Sequence, residues 1–109
     1  MIEVNGKQIE TDAEGFLANL EDWSEEVAVA LSQQDQLALE EKHWLVINWI
    51  RNYYAEYGTS PNLRMITKSI GADLGEEYSD KKYLFELFPY GPAKQAGRYA
   101  GMPKPTGCV

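Results

Sequence analysis

The chain opens on two short alternations, Ile2-Glu3-Val4 and Lys7-Gln8-Ile9, joined by Asn5-Gly6. Asn-Gly suits the positive φ angles of a type I′ turn, so the pattern predicts a β-hairpin. From Ser24 the apolar period becomes helical. Ser24 can cap, Glu25 and Glu26 favour the positive end of the dipole, Val27, Ala30 and Leu31 share a face, and Gln33-Gln34-Asp35 ends the run. Trp44, Ile47, Ile50, Tyr54 and Tyr57, widened by Val46 and Tyr53, then trace a core-facing stripe along a long helix from about Glu40 to Tyr57, closed by Gly58 and Pro61.

A further helix is predicted with Ser60 as cap and Pro61 at its first position, carrying Leu63, Ile66 and Ile70 and stopping at Gly71. The short turn before it makes the pair resemble a helix-turn-helix. After a polar connection from Gly71 to Asp80, residues Tyr83, Leu84, Leu87 and Phe88 predict a helix opened by Asp80 and ended by Pro89. A last helix runs from Pro92 to about Ala100. Ala93, Ala96, Gly97 and Ala100 let it sit close to the body, while Lys94 and Arg98 share another face. Periodicity stops at Gly101, so the segment 101–109 reads as an extended, mobile arm on a single domain of residues 1–100. The fold class is mainly α with a small N-terminal β-hairpin, a helical bundle in the α+β class.

Composition narrows the function. The chain has 109 residues, is 44% apolar and carries a formal charge of −7. That charge opposes broad binding to phosphate backbones, which relies on clustered Lys and Arg. Direct nucleic-acid binding is therefore disfavoured. Met1-Ile2-Glu3-Val4-Asn5 lacks the basic start and apolar stretch of a signal peptide, and no run reaches the length of a membrane span. The expectation is a cytoplasmic protein without membrane partners. His43 is the single histidine, so it reads as a helix residue beside Trp44 and no metal site is expected. The Glu14, Glu21, Glu25, Glu26, Glu40 and Glu41 groups read as solvated faces, and no cofactor-binding motif is present.

The chemistry concentrates in Cys108, the only cysteine and the penultimate residue, on the arm Gly101-Met102-Pro103-Lys104-Pro105-Thr106-Gly107-Cys108-Val109. Sulfur exchange depends on thiolate character, leaving group and access. The arm supplies access, with an extended reach of roughly 25 Å from Gly101 to Cys108. The Val109 carboxylate does not favour the thiolate, which leaves Lys104, or Lys94 and Arg98 if the arm folds back, and the pocket of a partner to activate it. Lys94, Arg98 and Lys104 are thus candidate partner-binding residues, against the alternative of an ordinary solvated helix face.

At this point a family resemblance emerges. Leu87-Phe88-Pro89-Tyr90-Gly91-Pro92-Ala93-Lys94-Gln95-Ala96, the C-terminal arm, His43-Trp44 with Arg51-x-Tyr53-Tyr54, and Asp12-x-Glu14-Gly15-Phe16-Leu17 together resemble the DsrC/TusE family of sulfur-relay proteins over essentially the whole chain. The resemblance implies a carrier that holds sulfane sulfur on Cys108 as a persulfide. It would be loaded by an upstream donor complex and unloaded by a downstream acceptor, such as a tRNA 2-thiouridylase or a sulfite-reductase-related complex. DsrC itself has a second cysteine in the last helix where this chain has Gly97, so the intramolecular disulfide or trisulfide ascribed to DsrC is closed to a single thiol. The chain accordingly resembles TusE or a single-cysteine DsrC paralogue. Two other readings stay open: a helix-turn-helix regulator using residues 60–71 with Arg64 and Lys68, and a noncatalytic adaptor whose C-terminal peptide docks into a partner.

Overall fold

A computed structural model describes residues 1–105; Thr106, Gly107, Cys108 and Val109 lie outside the described residues. Strands β1 (Ile2–Val4) and β2 (Lys7–Ile9) pair antiparallel with Ile2 opposite Ile9, and Asn5 and Gly6 carry the positive φ angles of the predicted turn. Register decides what this hairpin does. With side chains alternating across a strand pair, Ile2 and Ile9 fall on the same face and are both buried, and β1 packs against the first helix.

Five helices follow: α1 (Glu25–Gln34), α2 (Glu41–Tyr57), α3 (Leu63–Leu74), α4 (Lys81–Leu87) and α5 (Pro92–Tyr99). The cap of α1 is Ser24, whose hydroxyl accepts from the Val27 N–H, and that of α4 is Asp80, which accepts from Lys82. His43 occupies the third position of α2. Its Nδ1 accepts the Glu40 N–H at 3.0 Å and its Nε2 reaches the Leu87 carbonyl at 2.9 Å, which fixes the tautomer with the proton on Nε2. One buried imidazole thereby caps α2 and ties it to the end of α4, and its ring meets Phe88 edge-on at 5.2 Å. The structural reading of His43 holds.

The hub is α5, which packs against all four other helices. Its small residues explain this, because Ala93 and Ala96 are buried without holding neighbours apart. Phe88, Tyr99, Leu31, Ile47, Ile50, Ile66, Ile70 and Leu84 fill the surrounding core. Among the described residues no helix is long and apolar enough to cross a membrane.

Three expectations need correction. Helix α3 is capped by Asn62, whose side chain accepts from Met65, so Ser60 and Pro61 precede it. The cap residue nearest the apolar run wins, and the Ser60 hydroxyl donates instead to the Pro103 carbonyl at 2.7 Å. The helix also continues past Gly71 to Leu74. Gly71 serves packing there, since a Cβ would lie 2.2 Å from Ser79 Oγ in the 3-10 turn Glu76–Ser79 that folds back on α3. Finally, α2 buries His43, Val46, Ile47, Trp49 and Ile50, while Trp44 and Tyr54 are half-buried and Tyr57 is 61% exposed. At 100° per residue the row ending in Tyr57 drifts off the core face.

Candidate functional site

A helix leaves its last four carbonyls without intrahelical partners. In α5 every one is satisfied. The Met102 N–H bonds the Gly97 carbonyl at 3.0 Å and the Gly101 N–H bonds that of Arg98 at 3.1 Å, the two bonds of a Schellman motif, with Gly101 at φ 74°. Trp23 Nε1 donates to the Tyr99 carbonyl at 2.7 Å, and Arg51 Nη1 donates to the Ala100 carbonyl at 2.8 Å. The Arg51 guanidinium lies 3.7 Å from the Trp23 ring centroid, so the two donors also stack on each other. Burial pushes the Arg51 pKa down from its ordinary value.

The motif turns the chain back onto the body. Met102 is only 5% exposed, Gly101 and Pro105 are also buried, and the Ser60 bond holds Pro103. For residues 101–105 this corrects the expectation of an extended arm without packing. A Schellman turn buries the residue after its glycine, and Met102 is apolar enough to use that site.

The second anchor is ionic. In the loop between β2 and α1, Asp12 Oδ1 accepts from the N–H groups of Glu14 at 2.9 Å and Phe16 at 3.0 Å, a local turn that projects Glu14. Glu14 binds Lys94 of α5 through Oε2 and Lys104 through Oε1, both at 2.7 Å. The hydrogen bond from Lys104, then that from Lys94, lowers the Glu14 pKa from 4.5 to about 2, and the Glu14 partner raises that of Lys104. Arg98 meets Asp35 in a short ion pair, and the Tyr99 hydroxyl donates to the same carboxylate while accepting from Gln95 Nε2 at 2.8 Å. Burial, reinforced by Asp35, pushes the Tyr99 phenol above its ordinary range, so it stays a donor.

Lys94, Arg98 and Lys104 are therefore brought to one place, but each faces a carboxylate of this chain rather than presenting a bare basic patch. Both carboxylates, Glu14 and Asp35, were missed in the sequence. Glu14 is a bridging group and not merely a solvated face, and Asp35 does more than end α1. The Asp12-x-Glu14-Gly15 wording was the available signal for the first; separations above 60 residues hid the second. Cys108 lies outside the described residues. Gly97 is buried in α5, yet a Cβ there would meet nothing within 4 Å among the described residues, so close packing against residues 1–105 does not account for this glycine.

The hub helix, its capped end and its clasped extension define a small helical domain in which the chain beyond α5 is held back against the body. Residues 3–109 match the family described as DsrC like protein, and the chain belongs to that family. It is 49% identical to the sulfurtransferase TusE of Photorhabdus laumondii over 100% of this chain and 98% of that protein. It is 44% identical to Escherichia coli K12 TusE, over the whole of this chain and of that protein. The Allochromatium vinosum DsrC structure shares 56% identity with a TM-score of 0.90, covering 99% of this chain and 96% of that one. Oxidised DsrC of Archaeoglobus fulgidus, the γ-subunit of its dissimilatory sulfite reductase, shares 43% identity with a TM-score of 0.84, covering 98% and 97%.

Two predictions follow from this geometry. An ideal Cβ on Gly101 would lie 2.4 to 2.9 Å from Trp23 side-chain atoms, at a positive φ, whereas Gly58, also at positive φ, has open space. Gly101→Ala should therefore cost about 3 kcal/mol from backbone strain plus overpacking, and Gly58→Ala only about 1 kcal/mol. Thermal unfolding checks this, with the Gly101 variant losing on the order of 15 °C and equal losses contradicting the packing assignment.

The folded pKa of Glu14 lies below its ordinary 4.5, so the clasp contributes fully above that pH and its contribution disappears as pH falls toward 2. NMR titration of the Glu14 carboxyl should give a midpoint near 2 that rises toward 4.5 in the Lys94→Met, Lys104→Met double variant. A wild-type midpoint near 4.5 would mean the clasp does not form in solution.

Proposed function

We propose that this chain is a sulfur carrier that accepts sulfane sulfur on Cys108 and passes it to an acceptor protein. Full-length identity to proteins named sulfurtransferase TusE carries the reading. In the loading step the Cys108 thiolate attacks the outer sulfur of a donor persulfide; the new S–S bond forms as the old one breaks, and the donor leaves as a thiolate. Unloading repeats the exchange with an acceptor thiolate, and Cys108 is the leaving group. No net oxidant or cofactor is needed.

The anchors set how far the thiol travels. Three Cα–Cα steps lead from Pro105 to Cys108, a span of about 10 Å at most, against roughly 25 Å when the chain is free from Gly101. Entry into a deep partner site requires the longer reach, hence opening of the Glu14–Lys104 and Ser60–Pro103 contacts. Exposed ion pairs of this kind hold weakly and weaken further with salt, so a partner that supplies its own carboxylate to Lys104 can displace Glu14. Lys94 and Lys104 serve partner binding in this sense, by exchange of ionic partners, while Arg98 stays with the shielded Asp35 and holds α5 in place.

The donor is an upstream persulfide-bearing complex and the acceptor a tRNA 2-thiouridylase. The higher identity to Allochromatium vinosum DsrC than to Photorhabdus laumondii TusE favours a second reading, a partner in dissimilatory sulfur metabolism. Deleting the gene separates them, because loss of 2-thiouridine from tRNA supports the first and its persistence with impaired sulfur-compound metabolism supports the second.

Incubation with a sulfane-sulfur donor should add the mass of one sulfur atom to the intact protein and nothing to Cys108→Ser; labelling of the serine variant refutes the carrier reading. Because no described residue fills the space beside position 97, Gly97→Cys should fold and, under mild oxidant, lose two hydrogen atoms as a monomeric disulfide with Cys108. Exclusive formation of intermolecular dimers would show that the thiol does not return to α5.

A further inference from the structure

An apolar groove elsewhere on the molecule shares no residue with the Glu14–Arg98 site and takes no part in the sulfur chemistry described above. It lies between α2 and α3, encloses about 600 Å³, and is walled on one side by Leu45, Trp49, Tyr53 and Tyr57 of α2. These recur every fourth residue, so they form a ridge about 18 Å long, roughly three helical turns, that winds slowly around the helix. The rings touch in series, Trp49 to Tyr53 at 5.6 Å between centroids and Tyr53 to Tyr57 at 4.6 Å. From α3, Met65 and Leu74 complete the apolar lining.

Leu45 is 39% and Tyr57 61% exposed, Tyr53 is half-buried and Trp49 belongs to the core, so the row runs from the core out to the surface. Its ionic content is one-sided. Glu56 and Asp73 line the groove, and no Lys, Arg or His does. Asp73 Oδ2 accepts from Trp49 Nε1 at 2.7 Å, so its charge is held at the mouth of the aromatic row.

The geometry points to a docking surface for a cationic amphipathic helix of a partner protein, with Leu- or Met-type side chains entering the groove and Lys or Arg flanking them. The length of the row matches helical anchors spaced over three turns. Tyrosine faces beside two carboxylates favour a guanidinium or ammonium group. A second copy of this chain brings the same two carboxylates and a charge of −7, and a nucleic acid brings phosphates, so both are repelled by the groove.

The test uses two synthetic helices of about 18 residues with the same leucine face, one flanked by Lys and Arg and the other by Glu. In about 0.15 M salt the basic peptide should bind, shift the Trp49 indole N–H resonance, and lose at least tenfold in affinity with Tyr57→Ala and with Glu56→Lys. Both substitutions are at exposed positions, and matching amide spectra establish that the variants are folded. Four outcomes overturn the assignment: no binding, equal binding of the acidic peptide, binding that leaves Trp49 unshifted or is indifferent to both substitutions, and concentration-dependent self-association through this face.

Discussion

The chain must leave its most buried helix at Gly101, and the way it leaves governs everything downstream. An α-helix ending in the interior has four carbonyls to satisfy, and water cannot reach them all. Here two are met by the Schellman turn and two by Trp23 and Arg51, which come from distant parts of the chain and stack on each other. The arrangement is closed, since filling the Gly101 site with a side chain displaces the very indole that caps Tyr99. Because α5 touches every other helix, the direction fixed at its end is fixed relative to the whole body. Met102 then enters the core, and the segment toward Cys108 starts from a defined point.

Charge distribution follows the same economy. In a chain with 17 acidic and 10 basic residues, Lys94, Arg98 and Lys104 are drawn to Glu14 and Asp35 around α5. Their burial differs, and so does what they can do. Arg98 and Asp35 are mostly shielded and share the Tyr99 hydroxyl, a network costly to break at one member. Glu14 is half-exposed and its two lysines can exchange partners with solvent or another protein. One cluster thus combines a fixed part, which holds α5, with a replaceable part, which holds the root of the arm.

Local signals were legible in the sequence. Asn5-Gly6, the Ser24 and Asp80 caps, Gly58 and Pro92 each act within a few residues, and each element they bound is present. Ser60 and Gly71 misled because each has a packing or bonding role outside its own helix, at Pro103 and at Ser79, that helix-boundary signals do not encode. The same holds at the site. The cationic residues could be listed from α5 and the arm alone, whereas the carboxylates they pair with come from a loop and a helix end on the far side of the sequence. Tyr57 shows a third limit, because apolar spacing reports which residues share a face and not where that face leaves the core.

Gly97 connects these points to the family chemistry. Glycine within a helix costs about 1 kcal/mol relative to alanine, and the usual compensation is a neighbour that needs the space. No such neighbour occurs among the described residues, so the body tolerates a side chain at this position of α5. The fold therefore does not dictate whether a second thiol stands there. What differs with one thiol is the redox outcome: a persulfide on Cys108 has no internal thiolate to attack it, and its sulfur can leave only to another molecule. A carrier with one thiol can therefore pass its sulfur only to another molecule, which makes the contacts that hold the root of the arm, Glu14–Lys104 and Ser60–Pro103, the part of the fold that bears on access by a partner.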